Sequence, residues 1–158
     1  MARLRRPALV AALAAAAVLP ACGGTTPITI GTGSRAILVL TVDPNPIVAS
    51  ENTIGTASAS YKLTITETNG LGGEFVFVSG SVYDPASGAL VALNYYDSSD
   101  MLVYVGTRRI EAASSVTLTQ TVSYTLPTLG KAAPLTINVQ LKDDKGSTVN
   151  ASLLVNIQ

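Results

Sequence analysis

Few residues of this chain could carry chemistry, and the most distinctive of them is a cysteine. Cys22 is the only cysteine among the 158 residues, and it lies directly behind Leu19, Pro20 and Ala21. The chain contains no histidine, which excludes histidine-based catalytic triads, Cys–His dyads and histidine metal sites. A single cysteine cannot form an intramolecular disulfide, so stability must come from packing and backbone hydrogen bonds.

The remaining route to catalysis is a pair of carboxylates of the kind that glycosidases use. The candidates by residue type are Glu67, Glu74, Asp84, Asp97, Asp100 and Asp143. Nearly all of them fall at predicted turns or strand ends, where acidic side chains solvate the surface or form Asx turns. The stretch from Asp97 to Asp100 and the pair Asp143–Asp144 match no defined calcium loop. We therefore predict no catalytic residue, no metal site and no non-covalent cofactor.

The first 22 residues have the order of a secretory signal. Arg3, Arg5 and Arg6 form a positive start, residues 7–21 are an apolar run, and small residues follow. A helix that crosses ~30 Å of hydrocarbon needs about twenty residues. The apolar run is shorter, which favours a cleaved signal over a permanent membrane span.

The sequence Leu19-Pro20-Ala21-Cys22 resembles the lipobox of bacterial lipoproteins, with an aliphatic residue three places before the cysteine and a small residue immediately before it. Pro20 departs from the usual serine, alanine or threonine. The resemblance implies that residues 1–21 are removed and that Cys22 carries a covalent lipid, which attaches the protein to a membrane of the cell envelope. Gly23 after the cysteine implies the outer membrane if the organism is Gram-negative. An ordinary signal peptide cut elsewhere is the alternative.

Removal of residues 1–21 changes the charge of the chain. The whole chain has ten basic and ten acidic residues. Three arginines leave with the signal, so seven basic and ten acidic residues remain, for a formal charge of −3. A nucleic-acid partner would require a basic face that neutralises phosphates, and this balance argues against one.

The rest of the sequence predicts an all-β domain over residues 35–158, after a flexible tether at residues 22–34 rich in glycine and threonine. Apolar and polar residues alternate with the period of two that is typical of half-buried strands. The predicted strands are 36–42, a short edge at 47–48, 61–67, 74–83, 90–95, 101–105, 116–126, 135–142 and 149–157.

Seven or eight full strands with turn residues between them favour a single antiparallel β-sandwich. The strand count, the domain size and the proline-broken first strand resemble immunoglobulin-like or fibronectin type III-like domains of bacterial surface proteins. The immunoglobulin Cys–Trp–Cys signature is absent, since the chain has no tryptophan. An up-and-down barrel is the alternative architecture.

Aromatic residues are unevenly placed, since six of the eight lie between residues 75 and 104. We predict a possible interaction face formed by Tyr83, Tyr95, Tyr96 and Tyr104, with simple core filling as the alternative. Together these features predict a non-enzymatic, lipid-anchored envelope protein that binds a protein or an envelope component. Carbohydrate binding, hydrolysis by a carboxylate pair and a purely structural role are the alternatives.

Overall fold

The computed structural model describes residues 34–53, 56–126 and 132–158. The predicted signal peptide, Cys22 and all of the predicted tether except Ser34 lie outside the described residues. Within the described ranges, no helix is long and apolar enough to span a membrane.

The described residues form nine strands and one helix. In chain order they are β1 (Leu38–Asp43), β2 (Ala49–Thr53), β3 (Thr56–Glu67), β4 (Gly73–Tyr83), β5 (Leu90–Asp97), α1 (Ser98–Val105), β6 (Arg109–Ile110), β7 (Ser115–Thr125), β8 (Ala133–Asp143) and β9 (Thr148–Ile157).

The strands form two antiparallel sheets. In the first sheet β3 is central, with β7 on one side and both β1 and β2 on the other, each pairing with a different half of β3. The second sheet has the order β5–β4–β8–β9, and the short β6 pairs with the start of β4. Two separate sheets around one core confirm the predicted all-β sandwich.

The core lies between the sheets and is built from the inward half of each alternating strand. On β8, the side chains of Leu135, Ile137, Val139 and Leu141 are at most 1% exposed. Intervening residues of the same strand are half-buried or exposed. Burial of such aliphatic side chains contributes about 1.5–3 kcal/mol each, which is why strands with this alternation are held in one register.

The prediction of a strand at 101–105 is wrong, because residues Ser98–Val105 form helix α1. Asp97 Oδ1 accepts hydrogen bonds from the Ser99 and Asp100 amides at 2.7 and 3.0 Å, and Asp100 Oδ2 accepts from the Asp97 amide at 3.1 Å. This capping box begins the helix, and Gly106 ends it in the left-handed region at φ 81°. The turn predicted from Asp97 to Asp100 is therefore a helix start.

Three further strand predictions differ from the structure in their bounds. The edge predicted at 47–48 is a single bridge from Ile47 to Ile157, followed by β2. Strand β3 begins at Thr56 rather than Tyr61, and β5 continues to Asp97. Strand β6 was not predicted, because two residues are too short to show a period.

A polar pair lies inside the core where the two sheets face each other. Tyr61 of β3 and Gln120 of β7 are register partners, and the Tyr61 hydroxyl donates to Gln120 Oε1. Burial, followed by the charge of Tyr96, raises the pKa of Tyr61 far above its ordinary value. Gly80 of β4 faces this pair, and a Cβ atom there would lie 2.8 Å from the Tyr61 hydroxyl. Glycine is required because the opposite sheet inserts a polar group into that space.

A buried carboxylate accepts hydrogen bonds from several backbone segments at one end of the sandwich. Glu67 is 0% exposed. Its Oε1 accepts from the amides of Ile37 and Asn69 at 3.2 and 2.8 Å, and its Oε2 accepts from the amides of Gly70, Leu71 and Ala113 at 2.9, 3.1 and 2.9 Å. Burial opposes ionisation, yet these backbone donors outweigh it and lower the pKa of Glu67.

We expect Glu67→Gln to lower the free energy of unfolding by about 3 kcal/mol, because the amide nitrogen would face backbone donors that it cannot satisfy. The ionised form of Glu67 is stabilised in the folded state, so its contribution is complete above the ordinary glutamate pKa of 4.5 and is lost as the pH falls below it. Urea unfolding at pH 7 and pH 4 measures both effects. The matched control is Glu74→Gln at an exposed position, and equal losses in the two variants would contradict the assignment.

We expect Gly80→Ala to destabilise the domain by about 2 kcal/mol, because the added methyl group collides with the Tyr61 hydroxyl. Tyr61→Phe removes that hydroxyl, so Gly80→Ala should cost less than half as much in the Tyr61→Phe background. A double-mutant cycle by chemical unfolding gives the coupling between the two positions. Additive losses would show that the hydroxyl is not what excludes a side chain at position 80.

Candidate interaction surface

Adjacent tyrosines of β5 lie on opposite faces of the second sheet. Tyr95 pairs with Ser79, and Tyr96 pairs with Val78, whose side chain is fully buried. Tyr95 is 55% exposed, whereas Tyr96 is half-buried against the core. The period of two in a strand accounts for this separation.

The other two predicted tyrosines are divided between the same two sides. Tyr104 of α1 contacts Tyr96 edge to face, with 5.4 Å between ring centroids. Burial, then the charges of Tyr104 and Asp100, raise the pKa of Tyr96. Tyr83 is half-buried at the end of β4 beside Leu90, and alternation along β4 places it on the same face as Tyr95. The four predicted residues therefore form two groups rather than one continuous face.

The outer face of the second sheet is a set of three cross-strand rows that point away from the first sheet. The register of β5, β4, β8 and β9 aligns these rows as Asp97, Phe77, Gln140 and Asn150, then Tyr95, Ser79, Asn138 and Ser152, then Leu93, Ser81, Thr136 and Leu154.

The centre of this outer face is an open groove of about 430 Å³. The rings of Phe77 and Tyr95 stack on one side, with centroids 5.6 Å apart and an angle of 25° between the planes. Asn138, Asn150 and Ser152 line the other side. The groove therefore places aromatic surface opposite amide and hydroxyl groups.

None of the residues that line the groove is acidic or basic; Asp97 lies outside the lining, at the end of the row that contains Phe77. Gln140 Nε2 donates to Asn150 Oδ1 at 2.9 Å across β8 and β9. Exposed aliphatic side chains extend the apolar surface beyond the groove: Leu90, Leu93 and Leu154 are 53%, 54% and 67% exposed. An apolar centre with neutral polar groups is suited to contact with an uncharged ligand surface.

The outer face of the first sheet has a different character. Outward positions of β3 and β7 are serine or threonine apart from Lys62. Their hydroxyls pair across the strands, as in Thr66–Ser115 and Ser60–Thr121, both at 2.8 Å. These hydroxyls satisfy one another, whereas the second sheet presents aromatic and amide groups to solvent.

Two of the acidic residues considered for catalysis accept hydrogen bonds from nearby groups of their own turns. Asp84 accepts from the Ser87 hydroxyl at 2.5 Å and from the Ala86 amide at 3.2 Å, and the Ser87 hydroxyl bond in particular lowers its pKa. Asp143 accepts from the amides of Lys145 and Ser147 at 3.0 and 2.8 Å. Burial opposes ionisation of Asp143, but these bonds lower its pKa as well.

The other carboxylates considered are dispersed. Asp97 and Asp100 cap α1, Glu67 is enclosed by amides, and Glu74 is exposed on β4 opposite Lys142. Among the described residues, no three histidine, cysteine, aspartate or glutamate side chains are grouped to hold a metal ion.

Sequence reasoning did not identify Leu93, Asn138, Asn150 or Leu154 as surface residues of interest. Each occupies an outward position of an alternating strand, which the sequence indicates. These residues lie close together only because β4 pairs with β8. The two strands are far apart in the chain, and no local sequence pattern predicts that they pair.

No protein-family model matches the chain, and no curated protein matches it. Among solved structures, the chain is similar to the structural genomics target SoR45, with a TM-score of 0.57 and 14% identity over 75% of this chain and 84% of that chain. It is also similar to a protein from Bordetella pertussis named as ApaA, with a TM-score of 0.50 and 14% identity over 76% of this chain and 93% of that chain. Similarity at this level of identity supports the fold alone.

Proposed function

We propose that this chain is a lipid-anchored, non-enzymatic protein of the cell envelope that binds a partner protein through the outer face of its second sheet. The anchor is proposed from the lipobox-like sequence that ends at Cys22. The binding proposal rests on the composition of this outer face. Three large apolar side chains on it, Leu93, Tyr95 and Leu154, are more than half exposed, and its groove is uncharged.

A protein partner accounts for this composition. Centres of protein interfaces are rich in aromatic and aliphatic surface and poor in charge. Tyrosine is common among the residues that contribute most to binding. Three rows over four strands cover about 15 by 15 Å, which is well below the ~800 Å² per partner of a standard interface. We therefore expect weak, transient binding, which an anchored protein can compensate by its high local concentration.

A neutral carbohydrate is the second candidate. The observation that favours it is the stacked pair of Phe77 and Tyr95 beside Asn138 and Asn150. An aromatic ring can cover the apolar face of a sugar while amides bond its hydroxyls. The exposed leucines beyond the groove favour the protein partner, because aliphatic side chains offer no such stacking surface.

We expect Tyr95→Ser combined with Leu93→Ser to weaken partner binding at least tenfold, since both side chains are exposed at the centre of the outer face. A photo-crosslinking residue at position 154 captures the weak partner in intact cells, and titration of the identified partner then gives Kd. Tyr104→Ser is the matched control, because Tyr104 is similarly exposed but lies on α1.

Affinity for the partner should change less than twofold between 50 and 300 mM salt, because the groove has no charged lining. Unchanged capture by the Tyr95→Ser, Leu93→Ser variant would refute the proposed face. Binding to a neutral glycan that this variant loses, with no protein captured, would favour the second candidate.

We expect the mature N-terminal residue to be Cys22 with covalent lipid, because the residues before it resemble a lipobox. Mass spectrometry of the N-terminal peptide from membranes of the expressing cell measures the added mass. Cys22→Ser is the control, and it should release the protein from the membrane fraction. An unmodified N-terminus at any other residue would exclude the lipid anchor.

A further inference from the structure

The three cross-strand rows on the outer face of the second sheet have exposed apolar side chains at both edges. The rows cross the strands in the order β5, β4, β8 and β9. Leu93 and Tyr95 lie on the edge strand β5, Leu154 lies on the other edge strand β9, and each is more than half exposed. A partner that covers this face must therefore offer apolar surface to two edges that are three strand spacings apart.

Electrostatic repulsion limits the surfaces through which two copies of this chain can meet. The described residues include six basic and ten acidic side chains, for a formal charge of −4. Within the three rows, Asp97 at one corner is the one charged side chain. Two such faces can meet each other without strong repulsion, whereas contact between like-charged surfaces is costly.

A two-fold axis parallel to the strands, midway between β4 and β8, matches the rows of two copies. When two sheets pack face to face, this axis places β5 of one copy over β9 of the other and each row over its own equivalent. Leu93 then lies over Leu154 of the second copy, and the contact buries apolar surface on both sides. In the next row, Tyr95 lies over Ser152 of the second copy.

The charged corner finds a hydrogen-bond donor under the same axis, because Asp97 lies over Asn150 of the second copy. Asn150 Oδ1 accepts from Gln140 Nε2 at 2.9 Å, which leaves the Asn150 amide NH₂ to donate to the Asp97 carboxylate. The two copies of Asp97 lie at opposite edges of the pair. An axis perpendicular to the strands would instead place Leu93 over Asp97, and burial of a carboxylate against an aliphatic side chain is unfavourable.

We propose that the partner protein of this outer face is a second copy of the chain, in a two-fold dimer with β5 of each copy over β9 of the other. This inference rests on the proposed function of the same face and names its partner. The contact is smaller than a standard interface. We therefore expect a weak dimer, with a Kd above about 10 μM.

Photo-crosslinking in intact cells tests the dimer with the full chain. Position 152 is suited to the crosslinking residue, because Ser152 is exposed and would lie under Tyr95 of the second copy. Co-expression of two differently tagged copies identifies a product that contains both tags, and mass spectrometry locates the attachment. We expect attachment to β5, at or beside Tyr95. The matched control is a crosslinking residue at Thr119, exposed on the outer face of the first sheet, which should give no such product.

Paired charges test the proposed axis. Leu93 and Leu154 are about 14 Å apart across three strand spacings of one chain, so they can meet only between copies. Leu93→Lys or Leu154→Asp alone should reduce the crosslinked dimer about fivefold, because each charge is buried against leucine twice in a symmetric dimer. The double variant should recover at least half of the dimer, because each lysine then faces an aspartate.

The possible results separate the dimer from the proposed function. Attachment to another element of the second copy, single variants that leave the dimer unchanged, or no recovery in the double variant would refute the dimer. A product with a different protein, lost on Tyr95→Ser with Leu93→Ser, would refute the second copy as the partner and leave the proposed binding face standing. No product of either kind would refute the proposed function together with the dimer.

Discussion

One end of the sandwich, where β3 turns into β4, depends on the hydrogen bonds that backbone amides donate to the ionised carboxylate of Glu67. Its five amide donors come from three separate backbone segments: the start of β1 at Ile37, the turn between β3 and β4, and the turn before β7 at Ala113. The turn between β3 and β4 connects the two sheets. The Glu67 carboxylate therefore accepts hydrogen bonds from backbone amides that would otherwise be buried without a partner. Each such unpaired amide would lower the free energy of unfolding by about 1–3 kcal/mol. Ala113 adopts φ 51° beside it, which indicates that this turn is shaped to bring its amide to the carboxylate.

The same arrangement recurs at other turns and explains why the acidic residues form no cluster. Asp84, Asp97 and Asp143 each accept local amides at a turn or a helix start. A glycosidase acid requires a carboxyl group with a raised pKa, whereas the pKa values of Glu67, Asp84 and Asp143 are lowered. The carboxylates thus stabilise the backbone, and the outer face of the second sheet is left without charge at its groove. This division of roles is the basis for our proposal that the domain acts through surface contact rather than through its carboxylates.

Sequence patterns predicted those elements whose stability depends on burial of one face. Strands β7, β8 and β9 alternate cleanly because every second side chain enters the core, and a shift by one residue would expose all of them. Helix α1 was predicted wrongly because Met101–Val105 is an apolar, β-prone run. The decisive residues were Asp97 and Asp100 at capping-box spacing and Gly106 after the last turn. For the candidate surface, the opposite orientation of Tyr95 and Tyr96 follows from the period of a strand. The approach of Asn138 to Tyr95 depends on the pairing of β4 with β8, which local sequence does not encode.

The two outer faces of the sandwich show why one of them is suited to binding. On the first sheet, hydroxyls of β3 and β7 bond one another across the strands. A ligand would have to replace those bonds, so contact there gains little. On the second sheet, Tyr95 and Leu93 are exposed above small serines of β4, and burial of their apolar surface requires no bond to be broken. The two central strands of the first sheet therefore present hydroxyls that are already bonded, with the exposed Val39 of β1 beside them, whereas the second sheet presents a wider apolar surface that becomes more stable when it is covered. Because the described chain begins at the end of the strands rather than across either sheet, the proposed attachment through that end would leave the outer face of the second sheet accessible.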